Sequence, residues 1–304
     1  MTTKEMHPTH IRRPRGEAAG QVIIVILLGL IAFSTLYPFW HVLMYSISNS
    51  KAAMSGGFFF LPRKPTFLSY QVVFKTSQIW VAYRNTVAKT VVGTTISITL
   101  TALTAYPLSV RRFRGRNFFS LLIFFTMLFS GGMIPTYLIV RDVGLLNTFW
   151  AMVIPGAMSA YNMFILRNYM QNLPSSLEES AHIDGANAFT TLIRIILPLS
   201  TPSLAAIAMF YGVGNWNGYM DCLLYTNTQK LQVLQLYLRV IMEQTAMNSL
   251  SSADAAAVNA ASAELTDETV KMTTVAVSVI PILVVYPFLQ RFYTKGITVG
   301  AVKG

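Results

Sequence analysis

Apolar residues are concentrated in six stretches of the chain, and polar or basic connections separate them. A transmembrane helix needs about 20 predominantly apolar residues. The six predicted spans are residues 22–45, 86–110, 118–140, 149–170, 202–225 and 270–292. The first is too long for the apolar region of a signal peptide, and no small-residue cleavage site follows it. We therefore predict an all-α fold, a polytopic transmembrane bundle of six spans.

The composition supports a membrane protein. Only 12% of the residues are charged and 53% are hydrophobic, whereas about 25% of the residues in a soluble domain are charged. The mean hydropathy is +0.50. Cys222 is the only cysteine, which excludes a scaffold held by disulfides. The apolar content also excludes a disordered chain.

The net charge of +11 indicates topology rather than a nucleic-acid partner. The basic residues lie between apolar runs, as in membrane proteins whose cytoplasmic segments collect Lys and Arg. The thirteen on the predicted inner side are Lys4, Arg12, Arg13, Arg15, Arg111, Arg112, Arg114, Arg116, Arg167, Arg194, Arg291, Lys295 and Lys303. The short outer connection 141–147 has one. Both tails, residues 1–21 and 293–304, are predicted to be cytoplasmic.

The connection between the fourth and fifth spans has the pattern of two short helices. Ser175 and Ser176 precede Glu178 and Glu179 by three residues, the spacing of a capping box. Gly185 suits the left-handed conformation that ends a helix. These features predict a first short helix that ends at the glycine.

A second short helix is predicted to follow this glycine. Phe189, Leu192, Ile193 and Ile196 repeat at the spacing of one helical face. Pro198 is expected to end that helix, and Thr201 to cap the next one. The sequence therefore predicts a helix–turn–helix at residues 173–201, on the cytoplasmic membrane surface.

This connection resembles the EAA loop of ABC-importer permeases. Its pattern is Glu-Ala-Ala, three residues, Gly, nine residues, Ile, one residue and Leu-Pro. The matching residues here are Glu179-Ser180-Ala181, Gly185, Ile195 and Leu197-Pro198. Asp184 and Ala186 also fit the common D-G-A form, and Ser180 is the one departure, a small residue in place of alanine.

Two further segments resemble the maltose-type, carbohydrate-uptake permeases. The chain ends in GAVKG, and Asn215-Trp216-Asn217 stands where a TWN-type sequence is common in the fifth span. These resemblances favour a sugar or oligosaccharide over a peptide or phosphonate, and a permease for a non-sugar solute is the alternative. A membrane-embedded enzyme would need convergent carboxylates or histidines inside the spans, and only Asp221 and Lys89 come near one. A self-sufficient channel or carrier would leave the EAA spacing unexplained.

The resemblance implies a transport subunit in a bacterial cell membrane, not an enzyme. A second homologous permease, two cytoplasmic ATPase subunits and an extracytoplasmic solute-binding protein are the implied partners. ATP and Mg are expected on the ATPase subunits, because this chain has no phosphate-binding loop. The residues implied in ATPase coupling are Glu178, Glu179, Ser180, Ala181, Asp184, Gly185, Ala186, Leu197 and Pro198. Glu179 would pair with groups on the ATPase, or serve only in the capping box.

Polar residues inside the spans are candidates for a solute pathway, because they are costly in lipid. The candidates are Asn215, Trp216, Asn217 and Tyr219 in the fifth span, and Tyr161 and Asn162 in the fourth. The alternative is that they only join helices. Gly214 and Gly218 have the GxxxG spacing of a close helix contact, and Lys89 is expected to extend to the interface. No residue set has the pattern of a catalytic or metal site.

Overall fold

A computed structural model describes residues 15–250, 266–281 and 283–284, and helices are the regular structure throughout that part. The α-helices are α1 (Arg15–Ser46), α2 (Ser50–Ala53), α3 (Leu68–Lys75), α4 (Ser77–Ser109), α5 (Arg116–Leu128), α6 (Met133–Asp142), α7 (Ala160–Gln171), α8 (Ser175–Ile183), α9 (Ala188–Thr191), α10 (Leu197–Leu199), α11 (Thr201–Asn217), α12 (Met220–Tyr225) and α13 (Leu234–Leu250). Phe149–Met152 and Gln229–Leu231 are 3₁₀-helices, and Leu192–Ile196 is a π-helix. Residues 267–281 are also helical.

Two helices in the described part are long and apolar enough to cross a membrane, Gly20–Ser46 within α1 and Ser77–Ser109. Two bent pairs also pass this test together: α5 with α6, at 114°, and residues 188–199 with α11, at 83°. The described chain therefore has two to four candidate spans, and the count of six stays a prediction. The end of the sixth predicted span, most of the first tail and the second tail lie outside the described residues.

The third predicted span is broken between two helices. The helix α5 ends at Leu128 and α6 starts at Met133, and Gly132 between them has φ of +86°. Few residues other than glycine adopt this left-handed conformation. The chain between α5 and α6 therefore forms a sharp corner, and the two helices are bent by 114°.

The fourth predicted span is not one continuous helix. A 3₁₀-helix covers Phe149–Met152, and irregular chain with Pro155 and Gly156 follows it. The helix α7 then starts after Ser159, whose hydroxyl accepts a hydrogen bond from the Asn162 amide. At 1.5 Å per residue, the twelve residues of α7 extend about 18 Å, less than the roughly 30 Å of a bilayer core.

The long helix α4 lies at the centre of the described bundle and packs against α7 and α11. The helices α4 and α11 run antiparallel, as two hydrogen bonds between them show. Thr101 bonds the Tyr211 hydroxyl at 2.7 Å, and Thr94 bonds Asn215 at 3.4 Å. The main buried cluster joins α4, α7 and α11 with the chain that precedes α11. It includes Ala105, Leu108, Met163, Leu166, Ile196 and Ile207.

The helix at residues 267–281 closes the bundle against both α1 and α4. Thr273 donates to the Ser46 carbonyl at 3.4 Å, and the Tyr83 hydroxyl donates to the Val277 carbonyl. The apolar stretch of α1, in contrast, is not buried by the other residues that the structure describes.

Candidate functional site

The first candidate site is the coupling segment, residues 174–200, between α7 and α11. Its first helix, α8, starts after Pro174, which is the N-cap and supplies no side-chain hydrogen bond. The predicted capping box is therefore wrong. Ser175 and Ser176 already lie in the first helical turn, so neither occupies the N-cap position from which a hydroxyl reaches the third amide.

The corner of the coupling segment is closed as predicted. Gly185 has φ of +78°. The Gly185 amide donates to the His182 carbonyl at 3.1 Å, and the Ala186 amide donates to the Ala181 carbonyl at 2.9 Å. These two bonds form a Schellman motif, the usual end of a helix at a left-handed glycine. The prediction that α8 ends at Asp184-Gly185 is confirmed.

The second half of the segment begins at Asn187, whose side chain accepts from the Thr190 amide at 2.8 Å. The predicted single apolar face is only half correct. Leu192 and Ile196 are buried, but Phe189 is 62% exposed and Ile193 is 46% exposed. The π-helix at residues 192–196 explains the difference, because its wider turn shifts the side-chain period away from 3.6.

The join to α11 also differs from the prediction. The second helix continues through Pro198 to Leu199, and Ser200 is the N-cap residue of α11. Thr201 is not the cap, because its hydroxyl donates backward to the Pro198 carbonyl at 2.7 Å. Of the two predicted coupling residues here, Leu197 is half-buried and Pro198 is exposed.

The corner presents a surface that the described residues leave open. Glu179, Ser180, Asp184 and Gly185 are exposed, and Ala186 is half-buried. Ala181 is the exception, because it is buried. Two exposed apolar side chains flank this corner: Phe189, and Ile183, which is 86% exposed and which sequence reasoning did not single out. An apolar pair beside carboxylates suits docking to another protein.

Behind this surface, Glu178 lies between two cavities. One, of about 750 Å³, is lined by Arg111, Arg112 and Arg116 together with Glu178 and Glu179. Glu178 and Arg112 also line the second, of about 670 Å³. Burial raises the pKa of the Glu178 carboxyl, and the positive charge of Arg112 acts in the opposite direction.

The second candidate site is the break segment, residues 215–221, where α11 ends and α12 begins. The Asn215 side chain faces α4, and its amide donates to the Thr94 hydroxyl at 3.4 Å. Asn217 is exposed. Tyr219 accepts a hydrogen bond from Arg239 at 2.7 Å, and the guanidinium also lies over its ring.

Trp216 in the break segment packs against an apolar cluster that contains Ile79 and Leu234. Its indole N–H is buried without a hydrogen-bond partner among the described residues. Tyr161 is 58% exposed and Asn162 is buried. In the described part of the chain, no hydrogen bond joins these two residues of α7 to the break segment. The six predicted pathway residues therefore do not form one hydrogen-bonded group.

Lys89 of α4 reaches the break segment, contrary to the expectation that it extends to the interface. Its side chain is 1% exposed. The ammonium donates to the Gly218 carbonyl at 2.8 Å and to the Asp221 carboxylate at 3.2 Å. A lysine inside an apolar span is the sequence signal, but nothing in the sequence indicates which residues it binds.

The predicted GxxxG contact is also revised. A Cβ at Gly214 would have no described atom within 4 Å, so this glycine makes no close contact with a described helix. A Cβ at Gly218 would lie 3.0 Å from the Gly214 carbonyl oxygen and 3.1 Å from the Lys89 ammonium. The close approach of α4 to α11 occurs instead at Gly93, where a Cβ would lie 3.0 Å from the Asn215 side chain.

Known proteins resemble this chain over nearly its whole length. Residues 79–299 match the sequence pattern of a protein family described as "Binding-protein-dependent transport system inner membrane component". A polygalacturonan/rhamnogalacturonan transport system permease protein of Bacillus subtilis, YtcP, is 40% identical over 93% of this chain and 98% of its own length. Protein LplC of the same organism is 37% identical over 99% of both chains.

A solved structure has the same fold. A bacterial ABC transporter involved in the import of the acidic polysaccharide alginate contains a chain that superimposes with a TM-score of 0.83. The two chains are 33% identical, and the match covers 92% of this chain and 99% of the other.

Proposed function

This chain belongs to the family of binding-protein-dependent transport system inner membrane components, and from this premise we propose that it is the permease subunit of an ATP-driven oligosaccharide importer. It is a transport component and not an enzyme. The solute is received from an extracytoplasmic binding protein. A second, homologous permease completes the membrane part, and two ATPase subunits bind ATP and Mg on the cytoplasmic side.

The observation that carries this proposal is the exposed corner of the coupling segment. The glycine turn places Ile183 and Phe189 in solvent, with the Glu179 and Asp184 carboxylates nearby. Such a corner is a rigid two-helix unit that a moving ATPase subunit can carry with it. Closure of the two ATPases around ATP would then move this unit and rock the helical bundle against its partner.

The basic residues of the inner connections support a cytoplasmic position for this corner and for both termini. Arg111, Arg112 and Arg116 line the cavity beside the coupling segment, so the segment and the basic connection lie on the same side of the membrane. The proposed topology therefore places the coupling segment where ATPase subunits are found.

We further propose an acidic oligosaccharide as the solute. The relatives named above include a polygalacturonan/rhamnogalacturonan permease and a transporter of the acidic polysaccharide alginate. Galacturonic acid carries a carboxylate on each sugar ring, so a shared preference for uronic acids is the simplest substrate class.

The test is uptake by the complete transporter in proteoliposomes, with its binding protein and ATP. Oligogalacturonides, neutral arabino-oligosaccharides and a non-sugar solute, glycerol 3-phosphate, are compared. ATP-dependent uptake of either oligosaccharide supports the importer, and preference for the oligogalacturonides supports the acidic class. Uptake of glycerol 3-phosphate alone, or uptake without ATP, would overturn the proposal.

A further inference from the structure

The break between α11 and α12 poses a hydrogen-bonding problem. The Gly218 amide still donates to the Gly214 carbonyl at 2.9 Å, but the next helical bond runs from Leu223 to Tyr219. The carbonyls at the end of α11 therefore lack the amides that a continuous helix would supply. Lipid cannot replace these amides, so within a membrane the donors have to come from the protein or from a water-filled cavity.

Lys89 supplies one of these donors from a different helix. Its ammonium binds the Gly218 carbonyl directly after the last residue of α11. A positive charge is favourable at the C-terminal end of a helix, where the unpaired carbonyls are concentrated. The same ammonium binds the carboxylate of Asp221, in the first turn of α12. One cation from α4 thus contacts both sides of the break.

The backbone at Gly218 lies close to this ammonium. A Cβ at position 218 would lie 3.1 Å from the Lys89 nitrogen, which is closer than nine in ten real Cβ contacts. Gly218 has φ of −72°, so its backbone is not strained, and its lack of a side chain is what matters. Burial of an unpaired charge in an apolar span is very unfavourable, and here the lysine has both a carbonyl and a carboxylate as partners.

We propose that Lys89 is a positioning residue that fixes the angle between α11 and α12. It thereby orients the side chains at the break, Tyr219 and the half-exposed Asp221, toward the solute route. The consequence for transport rests on the proposed function. The structural consequence, a fixed position of α12, does not depend on it.

The only cysteine of the chain is a natural reporter of this position. Cys222 lies in α12, one residue after Asp221, and is completely buried. Its sulfur faces the Thr226 hydroxyl and the Leu231 carbonyl. If Lys89 holds α12 in place, loss of the ammonium should expose this thiol to a small maleimide.

The experiment compares the wild-type complete transporter with Lys89→Met and Asp221→Asn. Labelling of this subunit is followed by intact-mass spectrometry, and uptake and ATP hydrolysis are measured on the same samples. We expect Cys222 of Lys89→Met to react at least about tenfold faster, as expected for local opening of a cooperative unit. We also expect less solute transported per ATP hydrolysed. Asp221→Asn keeps an acceptor but loses the charge, so its changes should be smaller.

Thr94→Val is the matched control. It removes a contact between α4 and α11 at Asn215 but leaves the ammonium and both of its partners. Cys222 should stay protected in this variant. If Lys89→Met fails to assemble, Asp221→Asn decides the question alone. Unchanged Cys222 labelling in every assembled variant would overturn the proposal. Faster labelling with a normal ratio of uptake to ATP hydrolysis would overturn its consequence for transport.

The two proposals fail in different ways. Absence of oligosaccharide uptake by the wild-type transporter would reject the proposed solute. The comparison of Cys222 labelling between wild type and Lys89→Met would still decide whether Lys89 positions α12.

Discussion

The coupling segment and the break segment are both corners between helices with a glycine at the bend, but they are held in opposite ways. The two bonds that close the Gly185 corner connect residues no more than five positions apart in the sequence. At Gly218, the corner is held by Lys89, 129 positions away. The first corner is exposed, and the second is built around a buried ammonium.

The comparison separates two reasons for a glycine. Gly185 is needed for its backbone conformation, since φ is +78° and a Cβ there would meet no atom of the described residues within 4 Å. Gly218 has ordinary backbone angles, and a Cβ there would meet a carbonyl oxygen and the ammonium. A substitution at Gly185 is therefore expected to disturb mainly the contact with the proposed ATPase partner. A substitution at Gly218 is expected to disturb the packing inside this chain.

The largest effect is expected from Gly218→Ala. The added methyl group has to displace the Gly214 carbonyl or the Lys89 ammonium, so we expect a loss of about 1–3 kcal/mol in stability. Melting of the purified complex and uptake should both fall. Gly214→Ala is the control, because its Cβ would have open space and alanine favours the helix. Equal effects of the two substitutions would contradict the distinction between these glycines.

Next in size is Gly185→Asp, which should reduce uptake strongly while the complex still assembles and binds ATP. The left-handed conformation costs a non-glycine residue about 1–2 kcal/mol, and less for Asp. Gly144→Asp is a close match, since Gly144 has φ of +77° and equally open surroundings. Normal solute-stimulated ATP hydrolysis by the Gly185→Asp complex would show that this corner does not seat against the ATPase.

A smaller effect, on uptake only, is expected from Asn217→Leu. Asn217 is exposed at the break, so its amide is available to a hydroxyl-rich solute. Asn215→Leu should instead lower the melting temperature, because Asn215 binds α4, and such interhelical bonds contribute about 0.6–2 kcal/mol. Uptake and thermal stability are measured on the same preparations. A parallel decline of both in Asn217→Leu would assign Asn217 to packing.

The smallest effect is expected from Glu178→Gln in the coupling segment. Burial raises the pKa of Glu178, so the folded state holds its proton more tightly than the unfolded state. Stability therefore falls as the pH rises from the ordinary glutamate range through the raised pKa. Glu178→Gln should flatten this dependence, by less than about 1 kcal/mol because the group is partly solvated. Melting curves across mildly acidic to neutral pH check this, with exposed Glu179→Gln as control. An unchanged profile would show that the charge is not penalised.

The sequence by itself determined the features that depend on neighbours along the chain. The apolar run of α1 and the helix end at Gly185 both follow from a few adjacent residues. The helical class and the transporter family were also predictable, because hydropathy and the spacing around Gly185 are properties of the linear pattern. The linear pattern could not show which of the six pathway candidates contact solute and which only join helices.

Tertiary structure decided where the polar groups find their partners. The capping box failed because Pro174 takes the cap position, and the apolar face after Asn187 divided at a π-helix. Lys89 was expected at the membrane surface, but the carbonyl that α11 leaves unpaired and the carboxylate of Asp221 hold it inside. A turn such as the one at Gly185 is specified by local sequence, because its backbone hydrogen bonds join residues close together in the chain. The position of a buried charge such as Lys89 depends on which distant groups still lack a hydrogen-bond partner once the helices pack.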